Sequence, residues 1–175
     1  MLNALNQGVI TGSDVINSMI AISKVAEEKM GGTSGALYSC VSNLVCFQTP
    51  TQDVSCLDRI FFSSLAQALA CSSATVATAD VWNSALKSAL ARLYTYTRAR
   101  PPSRTLIDPL TAFVDALPAG FEGAVKAVQD AAEKTRDIEA KAGRSAYVEG
   151  DWLKEQKVPD PGAWGVKVII EALAK

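Results

Sequence analysis

No stretch of these 175 residues alternates apolar and polar side chains with period two for long enough to make a strand. Instead, apolar residues recur every three or four positions through most of the chain. A chain patterned this way buries its apolar side chains as stripes on helices packed against one another. The expected fold class is therefore all-α, an antiparallel bundle or barrel of about six helices.

The punctuation places the helices. Ser13-Asp14 reads as the cap of a helix over residues 13–30, with Val15, Met19, Ile22, Val25, Ala26 and Met30 at helical spacing and Gly31 ending it. A second helix starts at Thr33 or Ser34 with Ala36 and Leu37, and the segment IFFSSLAQALA, residues 60–70, is apolar enough to be buried helix. From Thr78 or Asp80 a long helix runs through Trp82, Leu86, Leu90 and Leu93 to about Tyr96, where RARPPS breaks it. Ser103 is read as the cap of the next helix, with Leu106, Leu110, Phe113, Val114 and Leu117 on one side and a stop at PAG. The spacing predicts a charged amphipathic helix over 121–142, with Val125, Val128, Ala132, Thr135 and Ile138 inward. A long polar loop follows. It closes on Asp160-Pro161, an N-cap and a first-turn proline that specify the start of the last helix.

Charge and residue usage narrow the function. The chain carries 17 basic against 18 acidic residues in no large single-sign block, so nothing marks it as a nucleic-acid binder. It has no run of about 18 apolar residues, so no transmembrane segment is expected. Histidine is absent, which removes the commonest general base and the commonest metal ligand. Cysteines 40, 46, 56 and 71 lack the CxxC spacing of a metal or redox site. Free thiols in a reduced, cytoplasmic setting are the simplest reading.

One stretch carries ligand chemistry. In KVAEEKMGGTSGALYS, residues 24–39, Gly31, Gly32 and Gly35 allow close backbone approach, while Thr33 and Ser34 offer hydroxyls and free N–H groups at a helix start. That combination suits an anion, above all a phosphate. A glycine-containing turn with a Thr/Ser cap has the same composition. By itself, PDPGA at 159–163 is equally compatible with a tight loop entering a helix, and SRTLIDPL with a capped helix in which Arg104 and Asp108 pair at i,i+4.

Taken in order, MGGTSGALYS, then a tryptophan-led helix ending LYTYTRARPPSRTLIDPL, then AGRSAYVEGDWLKEQKVPDPGAWG resemble the C-terminal nucleotide-binding (DhaL) domain of dihydroxyacetone (glycerone) kinases, of a fungal-like type. The resemblance covers nearly all of residues 1–175 apart from an atypical insert at 40–59. It implies a closed barrel of antiparallel helices holding ATP or ADP at one end, with Mg²⁺ between the phosphates and an aspartate cluster. It implies that Thr33 and Ser34 meet the phosphates, that Thr105 and Leu106 line the nucleotide pocket, that Thr97 is a further contact, and that Asp160, Pro161 and Gly162 complete the pocket. The implied reaction is ATP-dependent phosphorylation of dihydroxyacetone or glyceraldehyde in glycerol catabolism.

The departures from that pattern are equally definite. The Gly-Asp-Gly-Asp type loop that supplies the family's magnesium ligands has no counterpart here, nor does the histidine-bearing domain that holds dihydroxyacetone. The expectation is therefore a chain truncated at its N-terminus, without catalytic or metal residues of its own and inactive alone, with a homodimer or a partner subunit left open. A different class stays open beside it: a non-catalytic helical module that binds nucleotide or lipid and acts through a partner protein. Where the family commonly has Gly-Asp before Arg-Thr, this sequence has Pro102-Ser103.

The insert departs in composition too, with Pro50, QTPTQD and three of the four cysteines. Joining Ser39 to Ile60 restores one continuous helical pattern, SGALYSIFFSSLAQALA. A surface loop or twenty codons of translated intron would each account for it, and the restored pattern favours the intron. A deletion joining Ser39 to Ile60 is expected to raise the melting temperature. A variant that melts below the full chain would show the insert to be integral to the fold.

Overall fold

A computed structural model describes residues 6–8, 10–11, 13–29, 61–72, 76–139 and 157–175. Among them are six α-helices and no strand: α1 (Val15–Lys29), α2 (Phe61–Cys71), α3 (Ala79–Tyr96), α4 (Ile107–Ala116), α5 (Phe121–Lys134) and α6 (Pro161–Leu173), with a 3₁₀ turn at Leu117–Ala119 between α4 and α5. The fold class is all-α, as the periodicity predicts. Thr33, Ser34 and the insert at 40–59 lie outside the described residues. The chain divides into two compact units, Met1–Tyr96 and Thr97–Lys175.

In the first unit α2 packs on both α1 and α3. Asp14 begins α1: its carboxylate accepts the Asn17 N–H at 3.0 Å and the Asn17 side-chain amide at 2.6 Å, and these bonds hold it below the ordinary carboxylate range. Val15, Met19, Ile22 and Val25 are half-buried. Phe61, Leu65 and Leu69, four apart on α2, are buried, and so are Ala85, Leu86, Ala89, Leu90 and Leu93 on α3. Of the two starts expected for α3, Thr78 supplies the carbonyl that accepts the Trp82 N–H. Cys71, at the end of α2, is exposed and free.

Among the described residues the second unit holds three α-helices, each packed on the other two. Leu110, Phe113 and Val114 of α4 meet Ala124, Val128 and Ala132 of α5 and Ala163, Val166 and Ile170 of α6 as the buried set. Ala124, Ala132 and Ala163 are fully buried; side chains this small let helices approach closely. The stop after α4 is Gly120, whose φ of 127° no side-chain-bearing residue adopts easily. Outside the core, Glu133 of α5 pairs with Lys167 of α6 at 3.0 Å, Lys167 lies 3.7 Å over the Trp164 ring, and Gln129 donates to Glu171 at 2.8 Å.

Two boundaries differ from the sequence-based expectation. The helix expected over 121–142 ends at Lys134, because Thr135 turns the chain: its hydroxyl donates to the Ala132 carbonyl at 2.6 Å and accepts the Asp160 N–H at 3.0 Å. The helix expected to be capped by Ser103 begins at Ile107, and Ser103 is instead a buried loop residue. For stability, Leu93→Ala, at a site 1 % exposed, should lower the urea-unfolding free energy by about 2–5 kcal/mol. Val76→Ala, at a site 69 % exposed, should change it by less than about 0.5 kcal/mol.

Candidate functional site

The segment from Thr97 to Leu106 has no helix to satisfy its backbone, and one carboxylate does much of that work. Asp108, buried in the first turn of α4, reaches back: Oδ1 accepts the Ser103 N–H at 2.9 Å, and Oδ2 accepts the Thr105 N–H at 2.8 Å and the Ser103 hydroxyl at 3.2 Å. A negative charge in a helix's first turn also sits favourably against the helix dipole. The Thr105 hydroxyl accepts the Ile107 N–H at 3.2 Å and shares a hydrogen with the Ser103 hydroxyl at 2.9 Å. Asp108 is therefore not the i,i+4 partner of Arg104. The Arg104 guanidinium donates elsewhere, from Nη2 to the Val158 carbonyl at 2.7 Å and from Nη1 to the Ile138 carbonyl at 3.3 Å.

Arg104 is a backbone exception as well. Its φ is 56°, in the left-handed region that costs a residue of this size about 1–3 kcal/mol, and it is 2 % exposed. Its Nε is buried without a hydrogen-bond partner.

The start of α6 follows the sequence reading closely. Asp160 is the N-cap, its carboxylate accepting the Ala163 N–H at 2.9 Å and its carbonyl accepting the Trp164 N–H at 2.9 Å, with Pro161 at the first helical position. Gly162 is where α6 meets the Thr105–Leu106 segment. A Cβ built on it would lie 3.3 Å from the Leu106 Cβ, 3.6 Å from the Leu106 N and 3.0 Å from the Asp160 Oδ2. The close approach is possible because the residue is glycine.

Of the residues singled out in the sequence, the structure thus brings together Leu106, with Thr105 beside it, and Asp160, Pro161 and Gly162. Thr97 opens the same unit, where its hydroxyl accepts the Ala99 N–H at 3.1 Å and makes no hydrogen bond to either segment. Thr33 and Ser34 lie outside the described residues. Sequence reasoning missed the roles of Asp108, Arg104 and Thr135. Asp108 carries a readable signal, a carboxylate two residues into a helix that follows a Ser-x-Thr turn; nothing local marks the other two.

Residues 56–175 match the family model described as the DAK2 domain. The chain belongs to the DAK2 domain family. It is 40 % identical over 156 residues to dihydroxyacetone kinase 2 of Saccharomyces cerevisiae, covering 86 % of this chain and 23 % of that one. To the dihydroxyacetone kinase of Komagataella pastoris it is 37 % identical over 183 residues, covering 99 % of this chain and 27 % of that one. Human triokinase/FMN cyclase is 31 % identical, covering 83 % of this chain and 22 % of that one. The chain therefore spans about a quarter of the length of these relatives. The crystal structure of the dihydroxyacetone kinase of C. freundii superposes with a TM-score of 0.66 at 23 % identity, covering 99 % of this chain and 26 % of that one, which speaks for a shared fold.

Two glycines of α6 give this DAK2 domain an internal control. Gly162→Ala forces a methyl group against Leu106 and the capping carboxylate and should lower the melting temperature. Gly165→Ala adds a methyl group where nothing lies within 4 Å, and should gain up to about 1 kcal/mol from helix propensity alone. Paired thermal melts of the two variants check the contrast.

Proposed function

We propose that this DAK2 domain is the DhaL-type, nucleotide-holding part of an ATP-dependent kinase acting on dihydroxyacetone or glyceraldehyde. The observation that carries the reading is the meeting of two segments 56 residues apart, Leu106 against Gly162, at the N-terminus of a 13-residue helix. A helix start offers N–H groups to anions, and an adjacent apolar side chain offers a surface for a base. In the second unit Thr97, Thr105, Leu106, Asp160, Pro161 and Gly162 would hold ATP; Thr33 and Ser34, outside the described residues, keep the phosphate role that the family resemblance implies. Sequence similarity to proteins named dihydroxyacetone kinase and triokinase/FMN cyclase supports this reaction class.

Magnesium is a different matter. Among the described residues no group of three or more His, Cys, Asp or Glu side chains could hold a metal ion, so these residues do not fit the Mg²⁺ site that the family resemblance implies. In this reading they bind the nucleotide, and metal and sugar are held by other residues of a complete kinase, supplied from the same polypeptide or by a partner. Phosphoryl transfer depends on charge neutralisation and on in-line placement of the acceptor hydroxyl, and the nucleotide cradle provides neither. Among the described residues no helix is long and apolar enough to cross a membrane, which is compatible with the cytoplasmic setting we assign.

Calorimetric titration of the purified chain with ATP, with and without magnesium, tests the reading. Binding is expected, weakened about ten-fold or more in Thr33→Ala/Ser34→Ala and in Leu106→Ala, the loss that follows when one or two direct contacts are removed. No dihydroxyacetone phosphorylation is expected from the chain alone, and robust turnover would overturn its assignment as a cradle. Val168, Ile169 and Leu173, exposed along α6, favour a second reading, a module that acts through a partner. Uptake of an acyl chain without any binding of nucleotide would decide for that module.

A further inference from the structure

A buried arginine in left-handed backbone is doubly unfavourable, since the conformation suits glycine and a guanidinium out of water needs its donors filled. What Arg104 holds in return is specific. Among the described residues no carboxylate pairs with it, and both of its partners are backbone carbonyls, Ile138 at 3.3 Å and Val158 at 2.7 Å. These two carbonyls are twenty residues apart in sequence and flank residues 139–157, yet the two terminal nitrogens of one planar group reach both. Neither contact is local, because Ile138 follows the end of α5 and Val158 precedes the cap of α6.

The consequences run along short covalent links. Arg104 is followed directly by Thr105 and Leu106, and Val158 stands two residues before Asp160, which caps α6 and accepts from Ala163. Between Leu106 and α6 the approach is close: a Cβ at 162 would lie 3.3 Å from the Leu106 Cβ, tighter than ordinary van der Waals contact. A shift of Val158 relative to Arg104 would therefore move the helix start relative to Leu106. We propose that Arg104 is a positioning residue: its guanidinium clasps the carbonyls of Ile138 and Val158 and so fixes the start of α6 against Leu106. The effect on ATP rests on the nucleotide reading above, whereas the clasp itself stands on the hydrogen bonds alone.

Two variants test it. R104G removes the guanidinium while relieving the left-handed backbone. R104K keeps the charge but loses the planar fork, which can reach two separated acceptors at once. In both, amide exchange at Asp160 and Ala163 is expected to speed up about ten-fold, with exchange in the middle of α4 unchanged, and the Kd for ATP is expected to rise about ten-fold. Should R104G fail to fold, R104K carries the same two readouts. Unchanged exchange at Asp160 and Ala163 would overturn the clasp whether or not ATP binds. If the wild-type chain itself binds no ATP, the nucleotide reading fails and the exchange rates still decide the clasp. Faster exchange with unaltered affinity, in a wild-type chain that does bind, would overturn the positioning role. Wild-type behaviour of R104K would show that charge rather than the fork is what counts, and would overturn the clasp as well.

Discussion

The second unit turns on one buried hydroxyl. Thr135 is fully enclosed, donates to the Ala132 carbonyl at the end of α5, and accepts the N–H of Asp160 at the start of α6. Helix ends carry backbone groups that the helix cannot satisfy, and burying them unpaired costs about 1–3 kcal/mol each. Here an end and a beginning serve each other through a single side chain. The arrangement fixes where α5 stops and α6 starts, and it brings Asp160 and Gly162 to the place where Leu106 is waiting.

Around that hydroxyl, three polar side chains shape the surroundings of Leu106 and Gly162 from within. Asp108 folds the Ser103–Thr105 turn onto the head of α4, Asp160 closes the head of α6, and Arg104 spans from the first turn to the stretch before the second. Each is buried; backbone N–H groups of Ser103, Thr105 and Ala163 donate to the two carboxylates, the Ser103 hydroxyl donates to Asp108 as well, and Arg104 donates to backbone carbonyls. The polar interior thus organises irregular chain, and the apolar stripes organise the helices.

That division explains what could be read from the sequence. Stripes such as Leu86, Leu90 and Leu93 repeat locally, so the helices and the all-α class were legible, and Asp160-Pro161 announced its own helix because cap chemistry acts within three residues. The end of α5 was not legible, since 135–142 keeps a helical pattern while the decisive bond joins Thr135 to a residue 25 positions away. Ser103 looked like a cap by type, but a carboxylate five residues on took over the satisfaction of its turn. Arg104 and Asp108 stand at a spacing that suits an ion pair on a helix, but Arg104 precedes the helix and its left-handed φ goes with a different direction for the side chain. The family was readable because three motifs recur in order; the contact between two of them, Leu106 on Gly162, is a fact of three dimensions.

Anchoring both stems of a connection has a consequence for how such a chain can diverge. With Ile138 and Val158 tied to one guanidinium, the point where the chain leaves the second unit's described residues after α5 and the point where it returns before α6 are held at a fixed separation. For a flexible segment held at both ends, doubling its length costs only about 0.6 kcal/mol in closure entropy. Residues can then be gained, lost or exchanged between the two stems while the head of α6 keeps its place. The interval is free to take on new chemistry in sequence time, and the geometry beside it does not have to be solved again.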